Sequence, residues 1–248
     1  AIAHTAPLII FNGALALAMR FPSLSSKCAI PRKSSEVPDA SLWRSLWIKL
    51  AISHLVAGPL TSLGLWGVFT LPKASDPLPS LMAIAGLICL AHSFNDWAFY
   101  WTHRLLHHPK LYATLHKQHH AFRGSVGPAA EYAGDVETVL ANFIPSVGFM
   151  LFAQAHPLLH CVWLVLRLTQ TYEVHSGYQL NDTWMGRLGL TANNTAFHDH
   201  HHTANCGNFG AQHMDWLFGT MDHWVRDGGS SGYLEKRAAL NSKGLKAG

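Results

Sequence analysis

The sequence predicts an all-α, polytopic membrane protein, and three observations carry that prediction. Only 13% of the 248 residues are charged while 49% are hydrophobic, against roughly 25% charge in an ordinary soluble domain. A chain so poor in charge cannot clothe its whole surface for water, so part of that surface is expected to face lipid. Several long apolar runs carry no formal charge. Strand-like alternation is scarce, so these runs read as helices. The composition also excludes disorder, because disordered chains are charged and poor in aromatics; this one has Phe 12, Trp 9 and Tyr 6.

Residues 1–19 form the first apolar run. It has no basic leader, which speaks against a secretory signal peptide as written. Residues 20–49 form a polar link with Pro22, Pro31 and Pro38. The link holds Arg20, Lys27, Arg32, Lys33, Arg44 and Lys49 against Glu36 and Asp39, and such a basic excess beside apolar runs marks the cytoplasmic side. Residues 50–71, 22 in number and uncharged, are long enough to cross a bilayer. A membrane helix tolerates their Gly58, Pro59, Gly64 and Gly67. A third run starts at Leu78, and residues 96–101 continue it as an aromatic end suited to the membrane interface. Residues 1–95 are thus expected to form an N-terminal membrane-spanning region.

The 29 uncharged residues 138–166 are broken by Pro145 and Pro157. At about 1.5 Å per residue and about 20 residues per crossing, they make one long crossing or a short helical hairpin. His156-Pro157 favours the hairpin, over about 138–170, because the residue before proline leaves the helical region. Residues 227–248, with Gly228-Gly229-Ser230-Ser231-Gly232, read as a flexible tail. Residues 96–226, which include this hairpin, are expected to form a histidine-rich helical domain.

Histidine is the strongest signal: 18 residues, as many as Lys and Arg together, with thirteen between His103 and His202. Three tight groups stand out, at residues 103–108, 116–120 and 198–202. Residues three and four apart share a helix face. His103 and His107 are therefore expected to project together, as are His116 with His119 and His120, and His198 with His201 and His202. His108 and His200 lie off these faces. Eight imidazoles exceed what one tetrahedral metal needs, so two metals between converging helices is the economical reading. Imidazole suits Zn, Cu, Fe and Ni, and spacing does not choose among them. Metal-bound histidines commonly donate their second N–H to a carboxylate. Asp199, inside the third group, and Glu131, shortly after the second, are the expected partners. Cys28, Cys89, Cys161 and Cys206 form no C-x-x-C pair, so no zinc ribbon or redox motif is expected. No Lys/Arg block marks a nucleic-acid footprint.

At these residues the chain resembles the membrane di-iron fatty acid hydroxylase and sterol desaturase superfamily, and within it the C4-methylsterol oxidases. The carrying segments are DWAFYWTHRLLHH (96–108), LHKQHH (115–120), EYA (131–133), RLTQTYEVHSGY (167–178), FHDHHH (197–202) and GNFGAQHMDWLFGT (207–220). The resemblance implies that His103, His107, His116, His119, His120, His198, His201 and His202, joined by His175, hold two iron ions, with zinc an alternative occupant as isolated. It implies hydroxylation of an unactivated C–H bond with O2, namely the C4 methyl group of a sterol in sterol biosynthesis, taken through alcohol and aldehyde to acid. The sequence departs from the family pattern at Gly134-Asp135, where a His-Pro pair is usual. His200 stands where an aromatic is usual, and His213 has no family counterpart.

The resemblance also implies electrons from NAD(P)H through cytochrome b5 or a reductase, and the lack of a G-x-G-x-x-G fingerprint after a strand fits an external donor. Polar metal sites are costly inside hydrocarbon, and all the boxes must lie on one side of the membrane to meet. The centre is therefore expected at the cytosolic face, with a passage for lipid. The tail carries no KDEL-type address, so an endoplasmic reticulum location rests on the resemblance. The rival readings are a fatty acid hydroxylase, a sterol desaturase or a tailoring oxidase, and, from another class, a membrane metal-binding or transport protein.

Overall fold

The structure, a computed structural model, describes residues 1–69, 71–189, 191–192 and 194–244. Among these residues it is helical, without strands, and has one isolated bridge between Ala29 and Tyr178. The first apolar run forms α1 (Ile2–Ala18), which bends by 108° into α2 (Pro22–Cys28). Pro22 sits at the first helical position, where its missing N–H leaves no bond unmade.

The second half of the expected polar link is helical. Asp39 accepts the Leu42 N–H at 2.8 Å and caps α3 (Ala40–Ile52). Leu46 and Leu50, four apart, bury one face of α3 against Phe122 and Ala129. This burial outweighs the basic composition and draws Arg44 and Lys49 onto a helix. A π turn (Ser53–Ala57) joins α3 to α4 (Gly58–Val68). Pro59 has no N–H to give four residues back, and the Gly58 N–H reaches five residues back to the Ser53 carbonyl. The Ser80 hydroxyl accepts the Ala83 N–H at 3.3 Å and starts α5 (Leu81–Leu106), which runs straight into the first histidine group.

The broken apolar stretch folds as two helices lying back to back: α6 (Asp135–Phe152), π-wound around Pro145, and α7 (Pro157–Val174). Gln154, at φ 47°, reverses the chain between them. The Trp163 indole N–H donates to the Ser146 carbonyl at 2.6 Å, and Met150 packs with Leu159 and Trp163 against Ala91 of α5. The third histidine group lies on α8 (Thr195–Ala204).

Among the described residues, three helical stretches are long and apolar enough to cross a membrane: Ser34–Leu65, Leu81–Leu106 and Asp135–Phe152. The bent α1–α2 pair would make a fourth. Their large apolar side chains point outward, among them Ile9, Leu55, Leu63, Leu90 and Ile144. Water would oppose such an arrangement and lipid tails accept it.

The expected flexible tail is instead helical over Gly229–Gly244, here α9. Gly229, Ser230, Ser231 and Gly232 fall in its first four positions, and residues 233–240 contain good helix formers. Arg237 of α9 donates through Nη1 to Glu36 Oε1 at 2.9 Å, through Nη2 to Glu36 Oε2, and through Nε to the Pro31 carbonyl at 2.7 Å. The last part of that tail, residues 245–248, lies outside the described residues.

Candidate metal centre

The nine histidines singled out in the sequence come together in two groups. His103, His107, His116, His120 and His201 form one, and His119, His175, His198 and His202 the other. Within each group, one ring nitrogen per residue lies within 4.8 Å of all the rest. The C-terminal end of α5 supplies His103 and His107, and α7 ends at His175. The second box is not one helix: it passes from a π turn (Tyr112–His116) into a 3₁₀ turn (His119–Ala121).

The trios expected to face together are in fact divided. His116 and His120 join the first group and His119 the second; His198 and His202 join the second and His201 the first. On α8 the cause is helix geometry. At 3.6 residues per turn, neighbours point about 100° apart, so His201 and His202, whose ring planes stand at 90°, serve different groups. His198 and His202, four apart, stay on one face, with their Nε2 atoms 3.1 Å apart.

The hydrogen bonds around these rings show what the groups can hold. His103 places Nδ1 2.6 Å from the Phe209 carbonyl and His116 places Nδ1 2.8 Å from Glu137 Oε1. A neutral ring that donates through Nδ1 carries a lone pair on Nε2. The two Nε2 atoms nonetheless lie 3.0 Å apart, and His120 Nε2 lies 3.0 Å from that of His116. His107 Nε2 and His201 Nε2 are buried without a hydrogen bond, while His201 Nδ1 lies 2.6 Å from the Gly207 carbonyl. In the second group His175 places Nδ1 2.8 Å from the Thr171 carbonyl. Its Nε2 is 2.8 Å from that of His198 and 3.4 Å from that of His119.

Lone pairs crowded together in this way repel unless a cation lies among them. A proton does not serve at neutral pH. Burial, helped by neighbouring imidazoles, pushes the pKa of His116, His119, His198, His201 and His202 far below the usual range. Burial likewise lowers His175 to about 4 and His107 to about 2. A first-row metal with bonds near 2.1 Å separates its ligand atoms by about 3.0 Å at right angles and about 3.4 Å at tetrahedral angles, and the measured spacings match. The donor set therefore fits two imidazole-loving ions.

The expected carboxylate partners are corrected. Asp199 accepts the Ser125 N–H at 3.1 Å and the Tyr233 hydroxyl at 2.7 Å, so it ties the box helix to α9 and to the loop after box two. Glu131 accepts from the Tyr172 hydroxyl and lies 3.2 Å from both His4 Nε2 and His54 Nε2. Those contacts hold its pKa down to about 2 against the opposing effect of burial. The carboxylate that meets a box imidazole is Glu137 on α6. Nothing in the linear spacing distinguished it from Asp135 two residues earlier, because the meeting depends on how α6 docks.

The loop after α8 was also missed as part of the site. Asn205 and Asn208 take left-handed conformations, and Gly207 lies at φ +58°, where a Cβ would meet the Thr220 carbonyl at 2.4 Å. This winding brings the Gly207 and Phe209 carbonyls to His201 and His103. Asp215, fully buried, clamps the loop by accepting the Phe209 and Gly210 N–H groups, each at 2.8 Å, and the Thr220 hydroxyl at 2.6 Å. His200 turns away to Asp227 Oδ2 at 3.1 Å and packs on Trp224 and Tyr233. His108 caps the short helix Pro109–Leu111 at the surface.

A cavity of about 600 Å³ opens onto the centre. His103, His116, His119, His175 and His198 form part of its wall, and most of its lining surface is apolar. That volume is in the range of pockets that hold one small organic ligand.

Residues 88–220 match the fatty acid hydroxylase family, more than half of the chain, and the chain belongs to that family. A Dictyostelium discoideum protein named as a methylsterol monooxygenase is 34% identical over 187 residues, 74% of this chain and 65% of its own length. Methylsterol monooxygenase 2-2 of Arabidopsis thaliana is 35% identical over 153 residues, 60% of this chain and 57% of its own. A very-long-chain aldehyde decarbonylase of Oryza sativa subsp. indica is 33% identical over 205 residues, 79% of this chain and 74% of its own. The chain thus spans less than two thirds of the length of these methylsterol monooxygenase relatives. No solved structure matches it.

Proposed function

We propose that this protein is a membrane-bound di-iron oxygenase that hydroxylates an unactivated C–H bond of a lipid, the C4 methyl group of a sterol in sterol biosynthesis. The observation that carries this reading is a mostly apolar cavity whose wall includes imidazoles of both histidine groups. Bound iron supplies the reduction of O2 and the oxidation of the carbon. The first step balances as R–CH3 + O2 + 2 e⁻ + 2 H⁺ giving R–CH2OH + H2O, and further rounds lead to aldehyde and acid. Electrons come from NAD(P)H through cytochrome b5 or a reductase, as the family resemblance implies.

His103, His107, His116, His119, His120, His175, His198, His201 and His202 hold the two ions. Glu137 and the Phe209, Gly207 and Thr171 carbonyls fix the tautomers of His116, His103, His201 and His175, so that each offers Nε2. The apolar walls orient the lipid and keep water from the centre. The protein works in the endoplasmic reticulum membrane with the centre facing the cytosol. Support comes from Arg32, in the basic stretch, which bonds the Ser125 carbonyl beside box two and so puts the basic side and the box side together.

One observation favours a second reading. The rice decarbonylase relative matches over a larger share of both chains, which makes a long-chain aldehyde the alternative substrate. The test is to replace His119 or His201 with Ala and measure bound iron and oxidation of 4-methylsterols in membranes supplied with reductase. Loss of both is expected, and unchanged turnover refutes the proposal. Feeding 4-methylsterols and long-chain aldehydes separately, with product analysis, decides between the substrates.

A further inference from the structure

Among the described residues, one more cluster of ligating side chains converges apart from the nine box histidines. His4 comes from α1, His54 from the π turn between α3 and α4, and Glu131 from the end of the 3₁₀ turn Gly127–Glu131. Each of the two imidazole Nε2 atoms lies 3.2 Å from Glu131 Oε2, and the three ligand atoms lie within 4.8 Å of one another. The two rings stack, with centroids 4.2 Å apart and planes at 18°, so their Nε2 atoms are presented side by side. Thr5 Oγ1 stands 3.1 Å from His54 Nδ1 and orients that ring. The Tyr172 hydroxyl occupies Glu131 Oε1 and leaves Oε2 to the histidines.

Two features separate this cluster from an ordinary polar contact. The His54 side chain is only 4% exposed, and its Nε2 is buried without a hydrogen-bond partner of good geometry although Glu131 Oε2 lies 3.2 Å away. A buried imidazole nitrogen without a partner is costly. It lies within 4.8 Å of the ligand atoms of both His4 and Glu131. The ring reaches that position because of the π turn, a local distortion that recurs at functional sites.

We propose that His4, His54 and Glu131 form a third metal site, mononuclear and distinct from the nine-histidine centre, for a divalent first-row cation, zinc(II) or iron(II). Two imidazoles and one carboxylate are a donor set used for both ions. Bonds of about 2.0–2.2 Å to nitrogen and oxygen place neighbouring ligand atoms about 3.0–3.5 Å apart, which includes the two measured separations. Three protein ligands leave at least one position free. His4 and Glu131 line the same cavity as the box histidines, so that position faces the cavity and takes a water or a substrate oxygen. The ion also pins α1 to the π turn and to the loop after box two, three segments far apart in sequence.

The experiment uses the full chain in detergent, stripped with chelator and reloaded with zinc(II) or, without oxygen, with iron(II). Metal per chain is then counted after gel filtration. His4→Ala, at a position a quarter exposed, and Glu131→Gln are each expected to bind one ion fewer per chain than the unaltered protein. His4→Cys, which keeps a ligand, is expected to restore the count, and the metal that shows the difference is the one the site prefers. Equal counts in the unaltered protein and His4→Ala overturn the proposal. The readout is a difference of one ion, so it stands whether or not the nine-histidine centre loads as proposed above.

Discussion

Asp215 tests whether the loop after α8 positions the centre. Its carboxylate is fully buried and accepts three hydrogen bonds, yet burial outweighs them and raises its pKa above the ordinary carboxylate value. With the folded pKa above the unfolded one, ionisation of Asp215 costs stability as pH rises past the unfolded value. The residue is therefore not a net stabiliser through its charge. What it supplies is a shape for residues 207–210. Asp215→Ala leaves the half-buried Phe209 and Gly210 N–H groups and the Thr220 hydroxyl without this acceptor. At about 1 kcal/mol each, the low end for such groups, the loss is about 3 kcal/mol, and relief of the buried charge offsets part of it. The expected net cost is about 2 kcal/mol, or roughly 4–8 °C in melting temperature for a chain of this size.

Asp215→Asn keeps one acceptor oxygen and loses the charge, so its melting temperature is expected closer to that of the unaltered protein. Metal affinity is expected to separate the two effects. Both variants free the carbonyls that fix His103 and His201, and loss of such outer partners costs about 10–100-fold in affinity. Tryptophan fluorescence melts and metal titration of the purified protein give the two readouts. If Asp215→Asn melts near the unaltered protein and also binds metal as tightly, the loop is only a structural connection and the reasoning fails.

Two further outcomes follow from the same contacts. His175 and His107 have folded pKa values, about 4 and about 2, below the unfolded histidine value near 6.5, so acid favours the unfolded chain. Stability of the metal-free protein should hold above pH 6.5 and fall continuously toward pH 4, and a melting temperature unchanged between pH 7 and pH 5 contradicts this. Arg237→Ala removes one partner of a buried, bidentate ion pair and should cost about 3–5 kcal/mol. Limited proteolysis should then cut α9 in the variant and spare it in the unaltered protein; equal protection means that α9 docks by other contacts.

The sequence made some of these parts legible and hid others for physical reasons. Apolar runs free of charge mark α1, α5 and the α6–α7 pair, because burial in lipid is a property of composition over some 20 residues. Pro157 marks the break between α6 and α7, because a proline acts on its own neighbours. The extent of α3 was hidden, since Leu46 and Leu50 gain their burial from Phe122 and Ala129, more than 70 residues away. The helix α9 was hidden likewise, because the glycines at its start conceal an anchor, Arg237, whose partner is Glu36. Eight of the imidazoles were legible by residue type and spacing, and His175 only through the family resemblance. Their division five to four was not fully so: on α8 it could be read from the 100° step between His201 and His202, but in box two it depends on a π turn and a 3₁₀ turn that spacing does not reveal.

That division bears on the trios themselves. A pair four apart on one helix face supplies two nitrogens to one group, as His198 and His202 do. A third histidine beside the pair then necessarily points elsewhere, so an H-x-x-H-H trio on a helix suits two neighbouring ions better than one. His201 reaches His107 of the first group, with ring centroids 4.7 Å apart, while His202 reaches His119 of the second at 4.8 Å. Box two makes the same split with a different backbone, since His116 and His120 serve the first group and His119 the second. The two groups therefore share both boxes, and neither can be displaced without moving the other. A substitution at His201 should consequently loosen metal held by the second group as well as the first. Two independent sites joined by flexible connections would show no such coupling.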